Sequence, residues 1–464
     1  MKTITEPKKN IMLLWHHPKS IENDKTVFRP LRFLLQAKVE DGILLYNIVT
    51  SELIFLDDRE AQIFERLPAD YCSEMDNLIA KRFVVPYNFD ENKSVRELRA
   101  IIKKTEPSKR ITGFTILPTT DCNARCFYCF ESDFDRCTMT ERLASDVVEY
   151  IALKGKMQPV DISWFGGEPL VASKRISQIC AGLTQKGIKF SSTMVTNAYL
   201  FDEELIKIAK NNWKLRNVQI TLDGTEKTYN DTKAYVNPRE NPYRRVLKNI
   251  EGLLSYEIAV NIRLNVTDEN LSDLNDLIDE LAERFGENKM FSCYSHAVYE
   301  DVGFDPLKYD HDYSWIDSQT VTLDTNLRKK KLLGNLSRLP TLKTIHCMTD
   351  NDSCVLIYPD GKIGKCDNKS SSDNIGDIYH GITDEKMNEL YKAVTRIPEC
   401  EECCLFPNCI NLTLCPETGR CTKTKVDWKV KRYTALMKNA YQQYLDSGLE
   451  QDNNKIVGFS ECEG

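Results

Sequence analysis

Three cysteines within eight residues, Cys122-Asn123-Ala124-Arg125-Cys126-Phe127-Tyr128-Cys129, form a C-x3-C-x2-C loop directly after a short apolar run. Three thiolates at this spacing can hold three irons of a [4Fe-4S] cube and leave the fourth iron open to chemistry. A structural zinc would want four ligands in paired knuckles, and Cys137 is the nearest further thiol. A second block runs Cys347-x6-Cys354-x11-Cys366, then Cys400-x2-Cys403 with Cys404 beside it, and Cys409, Cys415 and Cys421. Eight of these nine make two sets of four thiolate ligands, although the C-x2-C pair alone also permits structural zinc. The chain holds 17 cysteines in 464 residues. No apolar run approaches the ~18 residues of a membrane span, and Ile11 to Trp15 is too short for a secretory segment. A cytoplasmic location is expected, where disulfides are disfavoured and metal or redox chemistry accounts better for an odd cysteine count. A net charge of -7 argues against nucleic acid and anionic membrane as partners.

Thiols of this kind need a scaffold, and the pattern after residue 105 predicts one. Short strand-like runs (Phe114 to Leu117, Asp161 to Phe165, Thr193 to Thr196, Val218 to Leu222, Ala259 to Val266, and a weaker one near Met290) alternate with helical patterns. The helices are expected near Thr140 to Leu153, Ile176 to Gln185, Asp202 to Lys210, Tyr243 to Leu254 and Leu271 to Phe285. Repeated βα calls for a parallel sheet or barrel, whose chemistry gathers at the strands' C-terminal rim. Gly166-Gly167-Glu168-Pro169, Thr196-Asn197 and Asp223-Gly224 all fall there, where each is otherwise a turn. In Ala259 to Val266, alternation puts Asn261, Arg263 and Asn265 on one face and Ile262, Leu264 and Val266 on the other. An inward Arg263 needs an anion, either a ligand or a carboxylate from another strand.

Before the barrel, Phe33 to Val39, Asp41-Gly42 and Ile43 to Val49 predict a hairpin, with a third strand at Glu52 to Leu56. A helix capped by Asp58, a second around Met75 to Ile79 and a strand at Phe83-Val84-Val85 follow, and Lys103 to Lys109 reads as a linker. Residues 301 to 346 are mixed, and Asp427 to Leu445 predicts a closing helix.

The cysteine loop resembles the signature of the radical S-adenosylmethionine (SAM) enzymes, and Gly166-Gly167-Glu168-Pro169 looks like that family's GGEP motif. The resemblance implies a partial (β/α)6 barrel in an α/β chain, with Cys122, Cys126 and Cys129 on a cluster whose fourth iron binds SAM. It also implies SAM contacts from Gly166, Gly167, Glu168, Pro169, Thr196, Asn197, Asp223, Arg263 and Asn265. Tyr128 would lie near adenine, its alternative being simple packing. The later cysteines resemble the SPASM extension of radical SAM peptide modifiers; Cys347, Gly361 and Cys366 match its opening spacing. By that resemblance Cys347, Cys354, Cys366 and Cys415 hold a nearer auxiliary [4Fe-4S] cluster, and Cys400, Cys403, Cys409 and Cys421 a farther one. Five residues rather than the usual three separate Cys409 from Cys415, and Cys404 is surplus. Asp367 matches a candidate general base of the SPASM sulfatase-maturing enzymes, the alternative being a solvated turn residue.

The N-terminal pattern resembles winged-helix peptide-recognition domains, which take a leader peptide as an added strand. The expected partition is residues 1–104 for this domain, 105–300 for the barrel, 301–346 for a bridge, 347–425 for the SPASM region and 426–464 for the closing helix and tail. Together the resemblances imply a maturase of a ribosomally made precursor peptide, served by SAM, three [4Fe-4S] clusters and a donor such as flavodoxin or ferredoxin. Reductive SAM cleavage would give a 5′-deoxyadenosyl radical that abstracts hydrogen, and thioether cross-linking from Cys is the expected outcome. Carbon–carbon cross-linking, epimerisation and formylglycine formation are alternatives within this class. A non-catalytic iron–sulfur sensor is the alternative outside it.

Overall fold

The computed structural model describes residues 1–15, 26–105, 110–267, 269–298, 314–333, 339–394, 398–415 and 423–446. Near the N-terminus, β1 (Lys2–Thr5), β2 (Leu34–Val39), β3 (Gly42–Asn47) and β4 (Glu52–Asp57) form an antiparallel sheet in the order β1-β4-β3-β2. The hairpin at Asp41-Gly42 and the third strand are as expected, whereas β1 was not foreseen in the sequence. Helix α1 (Asp58–Glu65) is capped by Asp57 rather than Asp58. Asp57 Oδ1 accepts from Glu60 N at 3.0 Å and Glu60 Oε2 accepts from Asp57 N at 3.2 Å, a reciprocal pair only the residue before the helix can make. Residues 103–105 of the expected linker close helix α2 (Glu91–Thr105), and 106–109 lie outside the described residues.

Six consecutive parallel strands then form the body. They are β5 (Gly113–Ile116), β6 (Val160–Trp164), β7 (Phe190–Val195), β8 (Leu215–Leu222), β9 (Ala259–Val266) and β10 (Phe291–Ala297). Helices α3 (Glu141–Lys154), α4 (Ser173–Gln185), α5 (Glu203–Asn211), α6 (Glu226–Lys233), α7 (Pro242–Ser255) and α8 (Leu271–Phe285) connect them. All but the short polar α6 follow the expected pattern. One core joins the helices' apolar stripes to the outward strand residues, among them Ile262, Leu264 and Val266, each fully buried. The other face of β9 carries Asn261 and Arg263, half-buried, and Asn265, buried.

After helix α9 (Ser314–Lys329), β11 (Cys354–Ile357) pairs in parallel with β5, and β12 (Lys362–Gly364), β13 (Gly376–Asp377) and β14 (Gly381–Ile382) add antiparallel strands. The result is a ten-stranded sheet that carries the barrel directly into the cysteine-rich region. Helix α10 (Lys423–Asp446) lays Val430, Tyr433 and Met437 against Leu35, Tyr46 and Phe55 of the N-terminal sheet. Phe406 enters a second N-terminal core with Trp15, Phe33, Val95 and Leu98, a burial of about 2 to 3 kcal/mol. Among the described residues no helix is long and apolar enough to cross a membrane.

Candidate active site at the strand ends

The cysteine loop is held by the neighbouring strand end. Gly166 has φ +111°, and a Cβ there would lie 2.3 Å from the Thr119 carbonyl oxygen; one on Gly167 would lie 2.4 Å from that of Asp121. Only glycines let the backbones meet this closely. Gly167 N–H donates to Thr119 O at 3.3 Å, and Glu168 N–H to Asp121 O at 2.9 Å. From the far side, Arg125 N–H donates to Lys233 O and Val236 N–H to Asn123 O, both at 2.9 Å.

Within this frame Cys122, Cys126 and Cys129 are half-buried and mutually close; burial, then the Glu168 charge, pushes the Cys122 thiol up to about 12. Desolvated thiols gathered on one loop suit a bound iron–sulfur group, which would replace their protons. The Cys137 carbonyl accepts from Thr120 N–H at 2.9 Å, while its thiol has Asp360, not the trio, as electrostatic neighbour.

Glu168 is fully buried and joins two strand ends. Its carboxylate accepts from Leu170 N (3.1 Å), Thr196 Oγ1 (2.7 Å) and Asn197 N (2.7 Å). Desolvation still outweighs these donors and raises its pKa to about 7. Pro169 opens the short turn Pro169–Ala172 that follows. Asn197 Nδ2 donates to Asn123 Oδ1 at 2.8 Å, tying the third strand end to the cysteine loop.

The remaining rim residues connect through a side chain the sequence did not single out. Lys233, only 4% exposed, pairs with Asp223 at 3.1 Å and donates to the Tyr128 hydroxyl at 2.7 Å. Burial alone would lower the Lys233 pKa, but Asp223 and Tyr128 hold it above the ordinary value. Asn265 Nδ2 donates to Asp223 Oδ1 at 3.0 Å, and Arg263 Nε to Asn265 Oδ1 at 3.0 Å. Tyr128, Lys233, Asp223, Asn265 and Arg263 are thus one polar chain in that order, with Lys233 joining the cysteine loop to the strand ends. In Glu226-Lys-Thr-Tyr-Asn-Asp-Thr-Lys233, nothing distinguishes this lysine from a surface one.

In the cysteine-rich region lies a cavity of about 230 Å³ walled by His346, Cys347, Cys366, Asp367, Tyr391 and Cys415. Burial raises the Asp367 pKa. It also raises Glu131, two residues beyond Cys129, to about 8, with the Asp367 charge adding to the effect. The two acids are thus within electrostatic reach of each other, and the polar run Glu131-Ser-Asp-Phe-Asp gave no sign of it. Burial raises the Cys347 and Cys366 thiols, and the nearby Cys415 sulfur adds to the rise at both. Cys354 is near Cys347 but off this wall, and a Cβ on Gly113 would stand 3.0 Å from its sulfur. Among the described residues no three His, Cys, Asp or Glu side chains converge on a single-ion site. A four-iron cube, whose terminal ligands sit on separate irons, asks instead for thiols spread around a cavity.

Cys400, Cys403 and Cys409 lie on a loop docked against the N-terminal region, with Cys403 and Cys404 packed on the sheet. Cys421 falls outside the described residues. Arg99 of α2 grips this loop, donating to the carbonyls of Phe406 and Pro407 (2.8 Å each), Cys409 (3.2 Å) and Lys343 (2.8 Å).

Comparison with known proteins agrees with this geometry. The Radical SAM superfamily model matches residues 116–281. The chain is 22% identical over 305 residues to GTP 3',8-cyclase of Clostridium perfringens (strain 13 / Type A), spanning 62% of this chain and 91% of that protein. It is 21% identical over 473 residues to the radical SAM cyclopropyl synthase TigE of Paramaledivibacter caminithermalis, spanning 95% of this chain and 90% of that protein. The AdoMet-bound structure of anSMEcpe matches with a TM-score of 0.56 at 16% identity, over 72% of this chain and 98% of that one. With AdoMet and the Cp18Cys peptide bound, anSMEcpe matches with a TM-score of 0.53 at 16% identity, over 73% and 99%. Residues 116–281 are a radical SAM domain, and the chain that carries it is an enzyme of the radical SAM superfamily.

Proposed function

We propose that this enzyme modifies a ribosomally made peptide, joining two of its residues with loss of two hydrogens. The observation that carries this reading is the cavity walled by Cys347, Cys366 and Cys415, whose Asp367 lies within electrostatic reach of Glu131, two residues beyond the cysteine loop. Cys122, Cys126 and Cys129 would hold the SAM-binding cluster, and the rim from Gly166 to Asn265, with Tyr128 on the loop, would bed SAM. When bound, cluster and SAM supply a 5′-deoxyadenosyl radical that abstracts hydrogen. Asp367, desolvated on the cavity wall, would take the proton the substrate releases.

The thiols would hold two auxiliary [4Fe-4S] clusters, one on Cys347, Cys354, Cys366 and Cys415, the other, by the sequence resemblance, on Cys400, Cys403, Cys409 and Cys421. An external donor such as flavodoxin or ferredoxin would reduce the first cluster, and the enzyme would work in the cytoplasm. The N-terminal sheet is proposed to bind the precursor's leader as an added strand. Among the described residues its edge strands are β1 and β2, and the longer β2 is proposed as the edge that takes the leader.

Thioether closure from a substrate Cys is the first reading. Carbon–carbon ring closure is the second, favoured by the cyclopropyl synthase TigE, whose similarity runs over 95% of this chain. Both remove two hydrogens, about two mass units. The test is co-expression of a short Cys-containing peptide encoded beside the gene with wild type and with Cys126→Ala, read by mass spectrometry before and after thiol alkylation. A Cys126-dependent loss that also removes the alkylatable thiol means thioether; one that leaves it means carbon–carbon closure. An unchanged mass from an enzyme that still cleaves SAM overturns both, and deuterium uptake from heavy water then tests epimerisation.

A further inference from the structure

The cavity beside Asp367 has an imidazole in its wall as well as thiols. His346 Nε2 lies 3.9 Å from Cys415 Sγ, and both face the space bounded by Cys347 and Cys366. The backbone that presents the imidazole is pinned: both Asp350 carboxylate oxygens accept from His346 N at 2.9 Å, and Oδ1 also accepts from Cys347 N at 3.0 Å. Asp350 is itself buried, so His346 and Cys347 enter the cavity as one fixed unit. The imidazole therefore stands on the sulfur of Cys415, the cysteine whose spacing departs from the expected pattern.

We propose that His346 donates an Nε2–H hydrogen bond to the Cys415 thiolate when that sulfur holds iron in the cavity, and so sets how readily the bound cluster accepts an electron. This rests on the reading that the cavity holds an auxiliary [4Fe-4S] cluster. A metal-bound thiolate carries no proton, so of these two atoms only the ring nitrogen can donate, which fixes the tautomer. Each cube iron takes one terminal ligand, and a nitrogen 3.9 Å from Sγ addresses the same iron; beside an attached Cys415 it is a neighbour, not a second ligand. A donor on a ligand sulfur stabilises the reduced, more negative cluster and raises its potential.

The reaction needs such an acceptor. After hydrogen abstraction by the 5′-deoxyadenosyl radical, closing the bond requires the substrate to lose one further electron and one proton. The proton goes to the Asp367 carboxylate and the electron to the oxidised cluster, so atoms and electrons balance. His346 is a positioning residue in this step, acting through Cys415.

The test uses the full chain reconstituted anaerobically, with His346→Ala and His346→Gln, followed by iron count and redox-titrated EPR of the signal that Cys366→Ala removes. Expected is a full iron count in both variants, with a more negative midpoint in His346→Ala. Glutamine keeps an N–H donor and should restore most of the shift. An unchanged midpoint in His346→Ala, loss of the cluster in both variants, or a strong directly bonded nitrogen coupling in wild-type pulsed EPR overturns the proposal. A wild-type iron count sufficient for one cube overturns the auxiliary reading itself; that failure is recognisable because no second signal exists to titrate.

Discussion

The two thiol-bearing regions are built by different means. The loop from Cys122 to Cys129 hangs between adjacent strand ends, and backbone bonds from Gly167, Glu168 and Val236 fix it. The thiols of the second region come from scattered segments, and the Cys400–Cys409 loop takes its shape from a helix more than three hundred residues away, through Arg99. A site built on strand ends inherits the sheet's rigidity; one built from loops depends on its distant partners.

Substitutions that separate the regions should differ in kind. The largest effect is expected from Cys126→Ala, which removes one of three ligands in the compact loop. 5′-Deoxyadenosine formation should vanish while the iron held by the second region stays. Loss of all iron would show that the regions do not load independently.

Next is Gly167→Ala, whose methyl would stand 2.4 Å from the Asp121 carbonyl and 2.6 Å from that of Thr120. Forcing those backbones apart should cost about 3 kcal/mol, roughly a hundredfold in SAM cleavage. The check is 5′-deoxyadenosine yield alongside thermal unfolding. Normal yield would mean the loop is not held by this strand end.

How legible each region was follows from the same difference. Strand runs, rim turns and the C-x3-C-x2-C loop are local patterns, and their placement on consecutive parallel strands followed from repeated βα alone. Lys233 and Glu131 were invisible because a sequence shows a charged residue but not its burial; one looked like a surface lysine and the other like a loop acid. Lys103 to Thr105 reads as the start of a linker because the polar last turn of a helix looks like one, whereas these residues close the helix from which Arg99 holds carbonyls of the far loop. Asp58 was named as the cap one residue late, since either of two adjacent aspartates suits the role until the Glu60 partner is seen. Cys415 could be given only by resemblance, because its neighbours come from elsewhere in the chain.

Arg99→Ala sharpens the comparison from the other side. It strips a charged donor from the carbonyls of Phe406, Pro407, Cys409 and Lys343, an expected cost of about 2 to 3 kcal/mol. Limited proteolysis should open the Cys400–Cys409 loop and iron content should fall, with SAM cleavage unchanged. A point variant suits this better than deleting residues 1–104, which would also uncover Phe406 and the apolar face of α10. An intact loop in Arg99→Ala would remove the claim that α2 shapes it.

The smallest effect is a proton-linked one at the barrel rim. Glu168 binds its proton more tightly folded than unfolded, its pKa rising from the ordinary 4.5 to about 7 because burial outweighs its three donors. The folded state then holds the extra proton between those values, so unfolding releases it, and stability is fullest below 4.5 and declines as pH rises through about 7. Between about pH 6 and pH 8 the loss should be on the order of 1 kcal/mol in the cofactor-free chain. Glu168→Gln, which cannot ionise, should flatten this dependence in urea unfolding. Amide exchange should quicken with pH at Leu170 and Asn197, whose N–H groups the carboxylate holds, beyond the intrinsic trend measured in the Cys400–Cys409 loop. An equal change in both regions would mean that the rim is not a separately stabilised site.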